Sequence, residues 1–168
     1  MNYYIELVKE QDAQALFQFE YNNRTFFEKM VPSRGEDYFN HFSERHSQLL
    51  KEQSEGISYF YLIRNAIGEI AGRINLVDID WENHAGSLGY RVGEAFTGKG
   101  VASSAVKLLL KEMEKSNITE IHAKTTTHNI PSQKVLEKND FERTSISTDE
   151  IEFNGEKVKF VHYIWKRD

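Results

Sequence analysis

The segment Gly93-Glu94-Ala95-Phe96-Thr97-Gly98-Lys99-Gly100-Val101-Ala102 constrains this chain more than any other. Ser87 to Val92 before it reads as a strand. After it, Val101, Ala105, Leu108, Leu109 and Met113 form one apolar stripe with Lys107, Lys111 and Lys115 outside it, which predicts a helix from Val101 to about Lys115. The chain must therefore turn from strand to helix through a loop with glycines on both sides of Lys99. Glycine lets the backbone approach a ligand closely and point its N–H groups outward. The helix start adds about half a positive charge from its aligned peptide dipoles. Such an elbow suits a phosphate or diphosphate. The same residues also read as a tight turn with no ligand, or as a nucleotide P-loop. The P-loop spacing is mostly met, but Gly100 stands where that motif needs Ser or Thr to ligate Mg²⁺.

The remaining pattern surrounds this elbow with strands and helices. Tyr3 to Val8 reads as a strand, and Asp12 as the cap of a helix through Leu16, Phe17 and Phe19. A short helix holding Phe26 and Phe27 is expected before Val31-Pro32, then one helical segment from Glu36 to about Gln53 with an aromatic face. Ile57 to Arg64 and Glu69 to Ile79 read as strands joined by a turn at Asn65 to Gly68. Downstream, Thr119 to Thr125 reads as a strand and Pro131 as the first turn of a helix reaching about Lys138. Phe141 to Ser147 and Val158 to Trp165 read as closing strands, with a hairpin signal at Asn154-Gly155 between them. The expected class is α/β or α+β, a sheet with helices packed against it.

Composition narrows the function. A chain of 168 residues with 39% hydrophobic content suits one domain with a packed core. It has no cysteine, which rules out a disulfide scaffold, a thiol nucleophile and a thiolate zinc site. His122 lies on a strand with no second ligand at useful spacing, so no metal is expected. The charge of −5 lacks the basic field of nucleic-acid binders and points instead to a cationic acceptor such as an amine or basic peptide. No apolar run approaches the roughly 20 residues that span a bilayer, and Met1-Asn2-Tyr3-Tyr4 starts no signal stretch. A cytoplasmic protein without membrane or nucleic-acid partners is expected.

Two blocks carry a resemblance. Leu88-Gly89-Tyr90-Arg91-Val92 with Thr97-Gly98-Lys99-Gly100-Val101-Ala102, followed by Asn129-Ile130-Pro131-Ser132 with Val135-Leu136-Glu137-Lys138-Asn139-Asp140-Phe141, resembles in order and spacing the two central motifs of the GNAT N-acetyltransferases, and most the RimJ/RimL type. That type acetylates N-terminal amines of ribosomal proteins. The resemblance implies a mixed, mostly antiparallel sheet whose central strands splay apart to admit the pantetheine arm of acetyl-CoA. It implies one domain over 1–168, with residues 1–56 on the acceptor side and 57–168 as the acetyl-CoA-binding core, acting as a monomer or homodimer. Tyr90, Arg91 and Val92 would line the first splayed strand, and Glu120 to Thr125 the second. Thr97, Gly98, Lys99, Gly100, Val101 and Ala102 would wrap the diphosphate, and Asn129 would bond the pantetheine. Bland roles for Asn129 and Ser132 are helix cap and first-turn polar residue.

The implied reaction is direct attack of a neutral amine on the thioester, with a backbone N–H such as that of Val92 on the oxyanion. Ser132, or a water, would donate to the leaving thiolate. The sequence departs from the family pattern at Leu136, where many members place a tyrosine acid, at Asp140, usually glycine, at Ala95, often Gln or Arg, and at Ser87, often Glu. Asp78, Asp80, Glu82, His84 and Glu94 are near enough in sequence to serve as base. Glu82 is the nominee, because Trp81 beside it would shield it from water. An α-amine, with a pKa of about 7.7–8.0, needs little help, whereas a lysine-like amine costs about 4 kcal/mol to deprotonate at pH 7.4. A non-catalytic acyl-CoA sensor on the same fold is the alternative.

Overall fold

Aliphatic and aromatic residues at alternating strand positions build two cores, one on each face of a seven-stranded sheet. The computed structural model describes residues 2–30 and 35–167. Among these, β1 (Tyr3–Leu7) leads through a 3₁₀ turn (Glu10–Asp12) into α1 (Ala13–Asn22), α2 (Arg24–Phe27), α3 (Gly35–Asn40) and α4 (Phe42–Ser54). Then follow β2 (Tyr59–Asn65), β3 (Ile70–Asp80), β4 (Ala85–Val92), α5 (Val101–Met113), β5 (Glu120–Thr126) and α6 (Ile130–Lys138). The chain closes with β6 (Glu142–Ile146), β7 (Ile151–Phe153), β8 (Glu156–Val158) and β9 (Phe160–Lys166). The sheet order is β1-β2-β3-β4-β5-β9-β6, and only β4–β5 is parallel.

In β2, Tyr61 and Ile63 enter the core under α5, while Leu62 between them enters the core under α1 and α4. Val101, Ala105, Val106, Leu109 and Met113 face the first core from α5. Val106 is buried there, and Leu108 of the expected stripe is only half-buried. Full burial of a side chain such as Leu62 or Ile74 contributes about 1.5–3 kcal/mol.

The parallel pair is short. Its register runs only Ala85↔Glu120, Gly86↔Ile121 and Ser87↔His122. Beyond Ser87, β4 continues to Val92 along β3, and beyond His122, β5 continues to Thr126 along β9. The two strands therefore part, and the sheet opens into a fork.

Several local expectations change. Asp12 does not cap α1. Its carboxylate accepts the Lys9 N–H at 2.8 Å and pairs with Arg64, because a 3₁₀ turn precedes the helix. The segment from Glu36 to Gln53 is two helices, broken at His41, which has left helical geometry. Phe26 and Phe27 do lie on a short helix, and Val31-Pro32 after it lies outside the described residues. Asn154 and Gly155 both take positive φ, but their hairpin is a separate ribbon, β7–β8, while β6 pairs with β9 directly. Asp140 takes φ +66 and keeps the turn that glycine would make. The Phe141 N–H reaches Leu136 O and the Asp140 N–H reaches Glu137 O, a Schellman ending to α6. Aspartate is among the few residues other than glycine that visit this conformation.

On the α1 side, Glu20 is only 1% exposed. It accepts from Arg73 Nη1 at 2.9 Å and from Arg91 Nη1 at 3.1 Å, which joins α1 to β3 and β4. Removing one member of a buried ion pair leaves a charge without compensation. Glu20→Ala is expected to lower the unfolding free energy by about 3–5 kcal/mol, read from urea denaturation. A loss below about 1 kcal/mol, the range of exposed pairs, would show that the clamp is not what holds α1.

Candidate active site

The fork between β4 and β5 opens a cavity of about 680 Å³, within the range of small-molecule sites. Leu88 to Val92 line one side and Ala123 to Thr126 the other. Strand alternation decides what each residue presents. The Gly93 N–H bonds Ala71 O on β3 at 2.8 Å, so by alternation Tyr90 and Val92 direct their backbone groups towards the fork. The Tyr90 side chain lies on the α5–α6 face and that of Arg91 on the α1 face, where its guanidinium sits 4.8 Å from the Phe27 ring centroid. Arg91 turns its backbone groups to Arg73 on β3 and its side chain to the α1 face.

The elbow is built as the glycine spacing predicts. Gly98 has φ +74 and Gly100 φ +75, and a Cβ built on either meets nothing within 4 Å. Gly100 is the N-cap of α5 in left-handed conformation. The first-turn N–H groups of Val101, Ala102 and Ser103 have no intrahelical partner by the geometry of a helix start. Gly98, Gly100 and all three of these residues line the cavity. Thr97 lines it too, but its hydroxyl donates to Glu94 O at 2.9 Å. Lys99 is exposed, with Nζ 5.7 Å from the Phe96 ring centroid, and is not among the lining residues.

Across the fork, Asn129 caps α6, its Oδ1 accepting the Ser132 N–H at 3.3 Å. The bland role is thereby filled, while both residues also line the cavity. The Ser132 hydroxyl lies 2.8 Å from the Tyr90 hydroxyl. Burial pushes the Tyr90 phenol above the ordinary tyrosine range, against the opposite pull of its bond to Ser132. The phenol thus keeps its proton and remains a donor. Leu136, at the family's usual tyrosine position, is buried in the core. A phenol still reaches the site, but from β4 rather than α6. The phase of Tyr90 with Leu88 and Val92 was the available signal for it.

Glu82 is not part of this constellation. It is exposed in the turn joining β3 to β4, where Trp81 donates to Gly56 O instead of covering it. Glu82 cannot serve as the base expected above, because its turn lies at the end where β4 still pairs with β5, away from the end where the strands part. Asp78, Asp80, His84 and Glu94 do not line the cavity either, and no Asp or Glu is among its described lining residues. Nor do the described residues contain a cluster of three metal-ligating side chains or a helix long and apolar enough to cross a membrane.

The chain matches the family model described as the acetyltransferase (GNAT) domain over residues 3–142. It is 27% identical over 157 residues to the [ribosomal protein uS5]-alanine N-acetyltransferase of Escherichia coli, covering 90% of this chain and 81% of that one. Its structure superposes on the ribosomal-protein-S5-alanine acetyltransferase from Vibrio fischeri with a TM-score of 0.90 at 22% identity, over 100% of this chain and 94% of that one. It superposes with a TM-score of 0.86 at 20% identity on RimL, the ribosomal L7/L12 alpha-N-protein acetyltransferase in complex with coenzyme A, over 96% and 92% of the two chains. These superpositions establish a shared fold.

The buried phenols have a consequence for stability. Tyr90, and more strongly Tyr61, keep their protons to higher pH when folded than when unfolded. Their contribution is complete below the unfolded value near 10 and is lost as pH rises through the folded value. Urea midpoints should therefore fall above pH 10. Tyr90→Phe should make that fall shallower, and an identical slope would place the phenol in water.

Proposed function

The chain belongs to the GNAT acetyltransferase family and is an acetyl-CoA-dependent acetyltransferase; from that premise we propose that its acceptor is an α-amine, on a protein N-terminus or a small molecule. The observation that carries the reading is the fork itself, opening beside a glycine elbow and a helix start. On this reading the whole of 1–168 acts as one domain. The backbone groups of Tyr90 and Val92 bond the pantetheine arm, as a third strand would. The amides of Gly98 to Ser103 take the diphosphate, each charge-assisted bond contributing about 1.5–3 kcal/mol. The Val92 N–H takes the developing oxyanion.

Ser132 donates to the departing sulfur, and Tyr90 holds the Ser132 hydroxyl in place from 2.8 Å. This pair supplies the donor missing from position 136 and so removes one of the two grounds for the sensor reading. The thiol has an ordinary pKa near 8.5, so only modest donation is needed. With no carboxylate among the described lining residues, the amine must arrive already neutral, and an α-amine is partly neutral at physiological pH where a lysine-like amine is almost wholly charged. Relatives named for an alanine of ribosomal protein uS5 support a protein α-amine as acceptor.

Release of free thiol from acetyl-CoA across a panel of peptides with free N-termini, polyamines, aminoglycosides and amino acids tests the reading. Binding without turnover over the whole panel would favour the sensor. Gly100→Asn, which tolerates left-handed backbone, should preserve the melting temperature and weaken coenzyme A binding about tenfold or more. An unchanged Kd would move the diphosphate elsewhere. Ser132→Ala should lower kcat by roughly 10–100-fold, at or below the low end of general-acid effects, with coenzyme A affinity intact. Undiminished kcat would pass the donor role to water.

A further inference from the structure

The fork gives access to the α1 face of the sheet, where the charged side chains that line the cavity are cationic in a chain of net charge −5. In the antiparallel register Arg73 stands opposite Arg91, and Asn75 opposite Gly89. Directly opposed residues share a face. On β5, Lys124 is in phase with His122, which pairs with Ser87, itself in phase with Gly89 and Arg91. Arg73, Arg91 and Lys124 therefore project on one face, away from α5 and the diphosphate elbow, and all three line the cavity. Glu20 backs the two arginines, and the described lining residues include no carboxylate. Phe27 lies against Arg91, and Phe160 lies 4.6 Å from Lys124 Nζ.

Three buried atoms in this wall lack a partner among the described residues, Arg73 Nε, Asn75 Oδ1 and Thr126 Oγ1. Arg73 is 7% exposed and lines the cavity, as does Asn75. The first is a cationic donor, the second a neutral acceptor and the third a hydroxyl that can do either. A buried polar group without a protein partner is costly, and a water or a ligand that enters the cavity can complete it. An acceptor atom suits the N–H of a neutral amine, and a cationic donor suits a carboxylate. Three cations against the one carboxylate of Glu20 leave a net positive charge beside the cleft, which disfavours an ammonium and so helps to keep the nucleophile neutral.

Resting on the α-amine reading above, we propose that the acceptor carries a carboxylate within a few ångströms of its amine, and that Arg73, Arg91 and Lys124 select it while Asn75 Oδ1 receives the amine N–H. An acidic peptide N-terminus and a free amino acid share this chemistry. The step stays a simple acyl transfer. The nitrogen lone pair forms the C–N bond, the C–S bond breaks, the thiolate takes the Ser132 proton, and the amine proton leaves to water, which restores Ser132.

The test uses short peptides with a free N-terminal alanine, alike except for two aspartates, two serines or two lysines at the next positions, with alanine and alaninamide as a second pair. kcat/KM is measured for each, together with the Kd of each peptide for the coenzyme A-saturated protein. The acidic peptide should exceed the basic one at least tenfold in both measures, and the gap should shrink as KCl rises. Lys124→Glu, an exposed position that leaves the Glu20 clamp untouched, should narrow or reverse the gap. Preference for alanine over alaninamide would identify the small-molecule source, and preference confined to peptides the protein source. Equal or basic-favouring values overturn the proposal even if every peptide is acetylated, which would leave the transferase reading standing. Tenfold tighter binding of the acidic peptide without any turnover would uphold the charge selection and sink the transferase reading. Absence of both binding and turnover would overturn both.

Discussion

The parting of β4 from β5 after three residue pairs is the constraint to which the rest of the molecule answers. Backbone amides and carbonyls need partners when water is excluded. A fork in mid-sheet removes those partners from two strands at once, so each strand must be held by its other neighbour. β4 has β3, with which it pairs through Val92, and β5 has β9, with which it pairs through Thr126. The open edges then face each other across a space that an extended, hydrogen-bonding molecule can fill in the manner of a strand.

Each face of the fork is braced differently. On the α5–α6 face the brace is the 2.8 Å contact between Tyr90 on β4 and Ser132 on α6, which spans the gap with two hydroxyls. On the α1 face it is the buried carboxylate of Glu20 gripping Arg73 and Arg91. The first brace doubles as chemistry, because a phenol that keeps its proton orders the hydroxyl beside it. The second brings cations to the cleft in a chain of net charge −5. Overall charge governs long-range behaviour such as solubility. At contact distance the sign of the few lining side chains decides, and here the two signs oppose.

Local chemistry made much of this readable. Positive φ at Gly98 and Gly100 follows from the only residue that takes it freely, and the cap at Asn129 from a side chain suited to that task. Reading failed where long-range packing overrode local pattern. Asp12 has a good capping side chain, yet Arg64, 52 residues away, and the Lys9 amide claim its carboxylate. Trp81 could have covered Glu82, but its indole found Gly56 O instead. The aromatic run from Glu36 gave no hint of the break at His41, since both helices present rings to the same core.

By itself the sequence determined most of the elements, the strand–elbow–helix unit and the ordered pair of blocks that mark the family, because periodicity, glycine and capping act within a few residues. Only the tertiary structure decided where the sheet opens, which phenol meets Ser132 and which charges share a face with the cleft. Those depend on register between strands distant in the chain, and a shift of one residue would send every one of those side chains to the opposite face.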